Sequence, residues 1–208
     1  MRIESFELGV LPTNCYILSD DKGLSLIVDP AAPSKRFNKS LEEFSDGQLK
    51  YILLTHGHFD HIGYADEIRK RTGAKIVIYK GEERFLHNSA LNLSAFMGDE
   101  SIKPFDADII VSDGDELQFG ESLIKVMHTS GHTSGSCCYI IDDILFSGDT
   151  LMKGTIGRTD FPTGSYDEMI ESLRQIKSLK GDYKIYCGHG SETTLDYERR
   201  NNPYIKTA

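Results

Sequence analysis

The stretch that most constrains this chain is Leu53-Leu54-Thr55-His56-Gly57-His58-Phe59-Asp60-His61. Three imidazoles and a carboxylate fall within six residues, directly after the apolar run Tyr51 to Leu54. A short apolar run bounded by polar residues reads as a buried strand. The dense residues therefore occupy the turn that leaves the strand, ahead of a helix starting near Ile62. Loops held at the ends of rigid strands are where ligand side chains are displayed. In an extended turn His56 and His58, two apart, project to the same side, while Asp60 and His61, beyond the bend, face a neighbouring position. One stretch could thus serve two adjacent metal ions rather than one. A polar turn satisfying only local hydrogen bonds is a poor account of four ligand-type side chains in six positions.

The 208 residues predict one large domain, 1–208, able to bury a substantial core. A formal net charge of −9 disfavours binding to a phosphate backbone, which needs a basic face. The N-terminus, Met1-Arg2-Ile3-Glu4-Ser5, lacks a basic region followed by an apolar core, and no apolar run approaches the roughly 18 residues of a membrane span. Cys15, Cys137, Cys138 and Cys187 show neither CxxC spacing nor the density of a disulfide framework. The expectation is a cytoplasmic protein with a small-molecule substrate, no nucleic acid and no membrane; its oligomeric state is not readable.

Strands and helices alternate along the chain. Ile3 to Leu8 and Cys15 to Leu18 predict a hairpin turning at Pro12-Thr13-Asn14, and Leu24 to Val28 a third strand. Ser34 to Phe44 reads as a helix capped by Ser34. The helix after the dense turn runs to about Thr72, closed by Gly73, and Lys75 to Tyr79 returns as a strand. Gly81 to His87 is a short helix, and Asn88 to Asp108 is the least regular segment. Strands follow at Ile109–Val111, Glu116–Phe119, Ser122–His128, Cys137–Ile141 and Ile144–Phe146. Asp167 to Leu179 has helical periodicity, Tyr183 to Cys187 is a last strand and Thr193 to Arg200 a last helix. Two separated groups of strands, each with helices, predict two sheets packed face to face and covered outside by helices.

Three further places repeat the plan of strand, turn and ligand. His132 follows the strand Val126–Met127 and the turn glycine Gly131; His128, still in the strand pattern, reads as a packed histidine. Asp149 follows Ile144 to Gly148, and His189 stands between Gly188 and Gly190. Together these make five histidines and two aspartates at four turns. His56, His58 and His132 would hold one metal, and Asp60, His61 and His189 a second, with Asp149 between them. Imidazole and carboxylate sets suit two divalent metal ions, zinc first, then iron or manganese. Two metals roughly 3.5–4 Å apart share a hydroxide and polarise an acyl or phosphoryl oxygen, which is hydrolytic chemistry.

The string Thr-His-Gly-His-Phe-Asp-His, with His132, Asp149 and His189 downstream, resembles the metallo-β-lactamase superfamily over essentially the whole chain. The resemblance implies an α+β fold, a four-layer αβ/βα sandwich with the metals at one edge of the two sheets, and Asp149 as a bridging ligand. β-Lactamases of this fold are expected to carry a cysteine near that place, which sets antibiotic hydrolysis back. Diiron flavoproteins, with glutamate at the second histidine of the motif, are disfavoured by His58. Gly154-Thr155-Ile156-Gly157-Arg158-Thr159-Asp160-Phe161-Pro162 and the run Thr193 to Pro203 resemble the short bacterial hydrolases of the glyoxalase II-like, hydroxyacylglutathione hydrolase-like branch. Glyoxalase II proper has a C-terminal helical extension that supplies glutathione contacts, whereas this sequence stops at Ala208, so thioester hydrolysis is expected without a supported glutathione substrate.

The Gly-Arg-Thr-Asp-Phe string is shared with persulfide dioxygenases of the same superfamily, in which one iron is held by residues matching His56, His132 and Asp149. That is the alternative; a non-catalytic metal-binding protein on the same fold is a minor one. The resemblance to the hydrolases implies Asp60 as the residue that orients the nucleophile and moves its proton. Asp29, at a strand end, and Thr55 are candidates for steadying the ligands, although Asp29 equally suits capping the turn before Pro30. Arg158 is the candidate for an anionic substrate group, since a guanidinium binds a carboxylate at two points; a structural ion pair with Asp160 or Asp167 is its other reading.

Overall fold

Alternation along the strands decides how the layers stack. The fold is that of a computed structural model, described over residues 1–98 and 102–208. One sheet runs β1 (Arg2–Leu8), β2 (Thr13–Ser19), β3 (Ser25–Val28), β4 (Leu49–Leu53), β5 (Lys75–Tyr79) and β6 (Ile109–Val111) in that spatial order. The other, taken from its opposite edge, has β7 (Glu116–Phe119), β8 (Ser122–His128), β9 (Cys137–Ile141), β10 (Ile144–Gly148), β11 (Lys184–Cys187) and β12 (Thr193–Thr194). The helices are α1 (Lys35–Glu42), α2 (Phe59–Ile62), α3 (Ala65–Thr72), α4 (Ser94–Met97), α5 (Tyr166–Ser178), α6 (Leu195–Asn201) and α7 (Pro203–Thr207), with a 3-10 turn at Glu83–His87.

Successive side chains of a strand point to opposite faces. Leu18, Leu26, Leu53 and Val77 meet Phe119, Ile124, Tyr139 and Phe146 in the core between the sheets. Their neighbours in sequence, Ile17, Ile27, Ile52 and Ile76, face the other way and pack with Phe37 and Leu41 of α1 and Ile68 of α3. On the second sheet Leu145, Ile185 and Cys187 face outward, against Met169, Leu173 and Ile176 of α5, Leu195 of α6 and Ile205 of α7. The order is helix, sheet, sheet, helix, which is the expected four-layer αβ/βα sandwich of α+β class. Each fully buried Leu or Ile contributes about 1.5–3 kcal/mol relative to exposure.

The topology also fixes one edge of the molecule. β3, β4, β5 and β6 are parallel, as are β10 and β11, and parallel neighbours require a crossover such as α1 or α5. The carboxyl ends of β3, β4, β10 and β11 therefore emerge together. There the two sheets are tied: the Cys137 N–H donates to Thr55 O (2.9 Å) and the Tyr139 hydroxyl to Leu54 O (3.0 Å). Gly148 must lack a side chain at this junction, because its backbone has φ +48° and a Cβ would run into Thr55.

Several boundaries differ from expectation. Thr13 and Asn14 belong to β2 rather than to the hairpin turn, because Thr13 pairs with Leu8 on one side and bridges to His189 on the other. The single helix expected after the dense turn is split into α2 and α3, and α2 starts at Phe59, so Asp60 and His61 lie on its first turn. α1 stops at Glu42, short of Phe44, while Ser34 caps it by accepting from the Phe37 N–H. Thr193–Thr194 is an edge strand, α6 begins only at Leu195, and α7 follows, starting at Pro203. Within the irregular segment Asn88 to Asp108, Asp99, Glu100 and Ser101 lie outside the described residues.

Candidate metal centre

Each ligand-type residue follows the end of a strand at this common edge. His56 and His58 stand two and four residues after Leu54, at the exit of β4, and Asp60 and His61 follow on α2. His132 sits in the β8–β9 turn, Asp149 directly after β10, and His189 two residues after β11. His189 is located by the first sheet: the Asn14 N–H donates to Gly188 O (2.7 Å), and the Asn14 side-chain amide to Cys187 O (3.0 Å) and Gly190 O (2.8 Å).

All seven side chains come together. His56, His58 and His132 offer nitrogens within 4.8 Å of one another, and so do the ligand atoms of Asp60, His61 and His189. His56, His61 and Asp149 form a third such group that links the two. Asp149 lies between them, with Oδ2 3.5 Å from His132 Nε2 and 3.6 Å from His189 Nε2, and Oδ1 3.5 Å from His61 Nε2. The first set is all imidazole and the other two combine imidazole with a carboxylate, donors that divalent transition metals favour.

The buried polar atoms test whether cations fit. Among the described residues, His56 Nε2, His58 Nε2, His61 Nε2 and Asp149 Oδ1 are buried without a hydrogen-bond partner. A buried polar atom left unsatisfied costs roughly 1–3 kcal/mol, and four in one cluster are accounted for by ions that accept their lone pairs. Charge agrees. Burial, then the neighbouring imidazoles, hold His56 and His58 far below the usual histidine range, so both rings are neutral donors. Burial opposes charge on His61 as well, but Asp60, Asp29 and Asp149 overcome it and push His61 up to about 10. Burial would raise the Asp60 carboxyl, yet His61 and His189 hold it below the ordinary range. The cluster without cations thus replaces them with a proton on His61.

Neighbouring groups orient the cluster. Asp29 accepts from the Thr55 N–H (2.8 Å) and hydroxyl (2.7 Å), and its Oδ2 lies 2.9 Å from His61 Nδ1. Thr55 Oγ1 is also 3.2 Å from His56 Nδ1, and His132 Nδ1 is 2.6 Å from Arg158 O. His128 is packed, its ring stacked on Tyr79 at 4.4 Å and 1°. Tyr139 is buried in the core, Tyr166 is solvent-exposed and Cys187 is buried strand packing; none of the three lines the cavity described next.

A cavity of about 770 Å³ opens over the cluster, floored by His58, Asp60, His132, Asp149 and His189. Arg158 lines it, and its guanidinium is held at two points by Asp160 (2.9 and 2.7 Å). Two residues that the sequence did not single out bear on the site. Thr13 donates to Asp60 Oδ2 (3.2 Å). Glu82, wholly buried, accepts from the Gly57 N–H (2.8 Å) and the Gly135 N–H (2.9 Å), joining the two histidine turns. Glu82, next to Glu83 in the turn after β5, carries no local pattern that would have revealed this.

The family model described as the metallo-beta-lactamase superfamily matches residues 8–189. Hydroxyacylglutathione hydrolase GloC of Haemophilus influenzae is 35% identical over 211 residues, covering 100% of this chain and 99% of that protein. The crystal structure of BLEG-1 B3 metallo-beta-lactamase matches with a TM-score of 0.90 at 31% identity, covering 98% of this chain and 99% of that one. The crystal structure of TTHA1623 in a di-iron-bound form matches with a TM-score of 0.83 at 26% identity, covering 97% and 99%. A B3 metallo-beta-lactamase is thus a near structural neighbour, which the cysteine criterion had set at a distance.

Proposed function

The chain belongs to the metallo-beta-lactamase superfamily, and from that premise we propose that it is a binuclear metal-dependent hydrolase acting on thioesters. The observation that carries the reading is the completeness of the second ligand set. Asp60, His61 and His189 converge beside His56, His58 and His132, with Asp149 facing both. The one-iron alternative would use His56, His132 and Asp149, a subset of the same seven residues.

His56, His58 and His132 would hold one divalent cation and Asp60, His61 and His189 the other, with Asp149 shared. Bound there, the cations supply an activated water and polarise the acyl oxygen. The protein supplies position and proton handling. The Thr13 hydroxyl donates to Asp60 Oδ2 and steadies the carboxylate, which would take the proton of the attacking water and return it to the departing sulfur. A thiolate leaves readily, so one carboxylate suffices for both transfers. Asp29 and Thr55 keep His61 and His56 turned toward the centre, and His132 is fixed by Arg158 O.

Elemental analysis of the purified protein, followed by a thioester panel, tests the reading. About two zinc, iron or manganese ions per chain together with thioester cleavage are expected. A single iron per chain with oxygen-dependent persulfide turnover would replace it with the oxygenase reading.

A further inference from the structure

The walls of the cavity differ in chemistry from its floor. Leu93, Phe96, Met97, Met152, Ile156 and Phe161 line it above the ligand cluster. Phe96 is 74% exposed and Met97 52%, on the four-residue helix α4 at the mouth. Large apolar side chains grouped beside a concave site, rather than scattered singly, mark a binding surface. Leu93 adds a conformational sign. It has φ +67°, a region that branched, bulky residues rarely adopt, and it is nevertheless buried against the cavity. Backbone held in such a conformation is a pointer toward function.

The charges of the wall point the same way. Among the described residues lining the cavity, Arg158 is the one lysine or arginine. Asp160 accepts from its Nε and Nη2, and the Arg158 guanidinium carbon lies 4.2 Å from the centre of the Phe161 ring. An Arg–Asp pair stacked on an aromatic ring presents a flat face whose guanidinium is already engaged by a carboxylate. A peptidic thiol with several carboxylates would meet on these walls a single cation, already paired with Asp160.

We propose that the substrate of this centre is a thioester bearing an extended apolar acyl chain, seated against the Phe96, Met97 and Ile156 wall. The proposal rests on the hydrolase reading of the metal centre and specifies what that centre acts on. Burying each further methylene is worth about fourfold in affinity, so selectivity arises from chain length instead of from ionic contacts.

The test is a chain-length series on one neutral thiol: acetyl, butyryl, hexanoyl and octanoyl thioesters of N-acetylcysteamine, with S-lactoylglutathione alongside. In the metal-loaded protein kcat/KM is expected to rise at least threefold per added methylene up to hexanoyl, mostly through KM, and to exceed that for S-lactoylglutathione by tenfold or more. Phe96→Ser is expected to reduce the octanoyl-to-acetyl ratio about tenfold. A flat or falling series, or preference for the glutathione thioester, overturns the proposal and leaves the hydrolase intact. A calorimetric arm uses metal-free protein and uncleavable thioethers, S-methyl and S-octyl N-acetylcysteamine. Binding of the octyl compound at least tenfold tighter than the methyl one, without cleavage of any thioester, keeps the apolar wall and removes the hydrolase reading. Equal or absent binding of both, together with no cleavage, overturns the two together.

Discussion

Asp29 Oδ2 lies 2.9 Å from Nδ1 of His61, and the two side chains are 2% and 0% exposed. The same carboxylate takes both the N–H and the hydroxyl of Thr55, so one residue at the end of β3 steadies the exit of β4 and the first turn of α2. It fixes which His61 nitrogen faces the cluster. Asp29→Asn is the informative change, because Asn tolerates the left-handed backbone (φ +49°) that position 29 adopts. The amide retains one acceptor where the carboxylate has two. Affinity for the second cation is expected to fall 10–100-fold, measured by chelator competition, while the first cation stays bound. Undiminished affinity at both sites would refute the role given to Asp29.

The proton that His61 carries without metal gives a dependence on pH. Its folded value, about 10, lies above the 6.5 of the free side chain. Its contribution to the stability of metal-free protein is therefore complete below pH 6.5 and lost as pH rises through about 10. Thermal melts of metal-free protein should fall over that window, by a few kcal/mol at most on the order-of-magnitude scale of such shifts. Metal-loaded protein, in which the cation displaces the proton, should show no such fall. Affinity for the cation should rise over the same window, since loading must expel the proton.

The convergence of the seven side chains was legible because they obey a local rule repeated four times: an apolar strand, a turn, then a histidine or aspartate. The layers were legible because alternation along β2, β3 and β4 assigns each side chain to a face. What escaped depends on contacts distant in sequence. Glu82 joins turns 25 and 53 residues away. Thr13 and Asn14, with the composition of a turn, are drawn into β2 by their contacts with Asp60, Cys187 and Gly190. The engagement of Arg158 by Asp160 was one of two readings, and only the geometry shows the guanidinium taken at two points.

Glu82 carries its own prediction. Burial pushes its carboxyl up to about 7 against the pull of the Gly57 N–H. With a folded value above that of the free side chain, the native state binds more protons between about pH 4.5 and 7. Stability therefore declines as pH rises through that range. Glu82→Gln removes the titration, and denaturant unfolding at several pH values should show wild type losing up to about 3 kcal/mol relative to the variant across it. At neutral pH the variant should also bind metal more weakly, because the amide cannot accept from both turns. Parallel stability curves for the two proteins would count against this account.

His189 distinguishes the two chemistries considered for the site. It belongs to the second ligand set and has no counterpart in a one-iron triad. His189→Ala should lower bound cations from two per chain to one and reduce thioester cleavage at least 100-fold, read by elemental analysis and initial rates. Retention of two cations and full activity would show the ligand assignment to be wrong.

Gly188 stands where a methyl group would strike Asp149 Oδ1 and come within 2.9 Å of His61 Cε1. The backbone has little room to yield: the Gly188 N–H donates to Gly148 O (2.8 Å), and its carbonyl accepts from the Asn14 N–H (2.7 Å). The carboxylate must therefore move, and it faces both ligand sets. Gly188→Ala should cost about 1–3 kcal/mol in stability from overpacking and lower occupancy at both cation sites, not at one. Asp149→Ala should also empty both sites, but it vacates the volume that the methyl needs. In the double variant the destabilisation by Gly188→Ala should largely disappear, giving a coupling of about 0.5–3 kcal/mol in a cycle of thermal or denaturant unfolding on metal-free protein. Strict additivity would mean that Gly188 is constrained by something other than the Asp149 carboxylate.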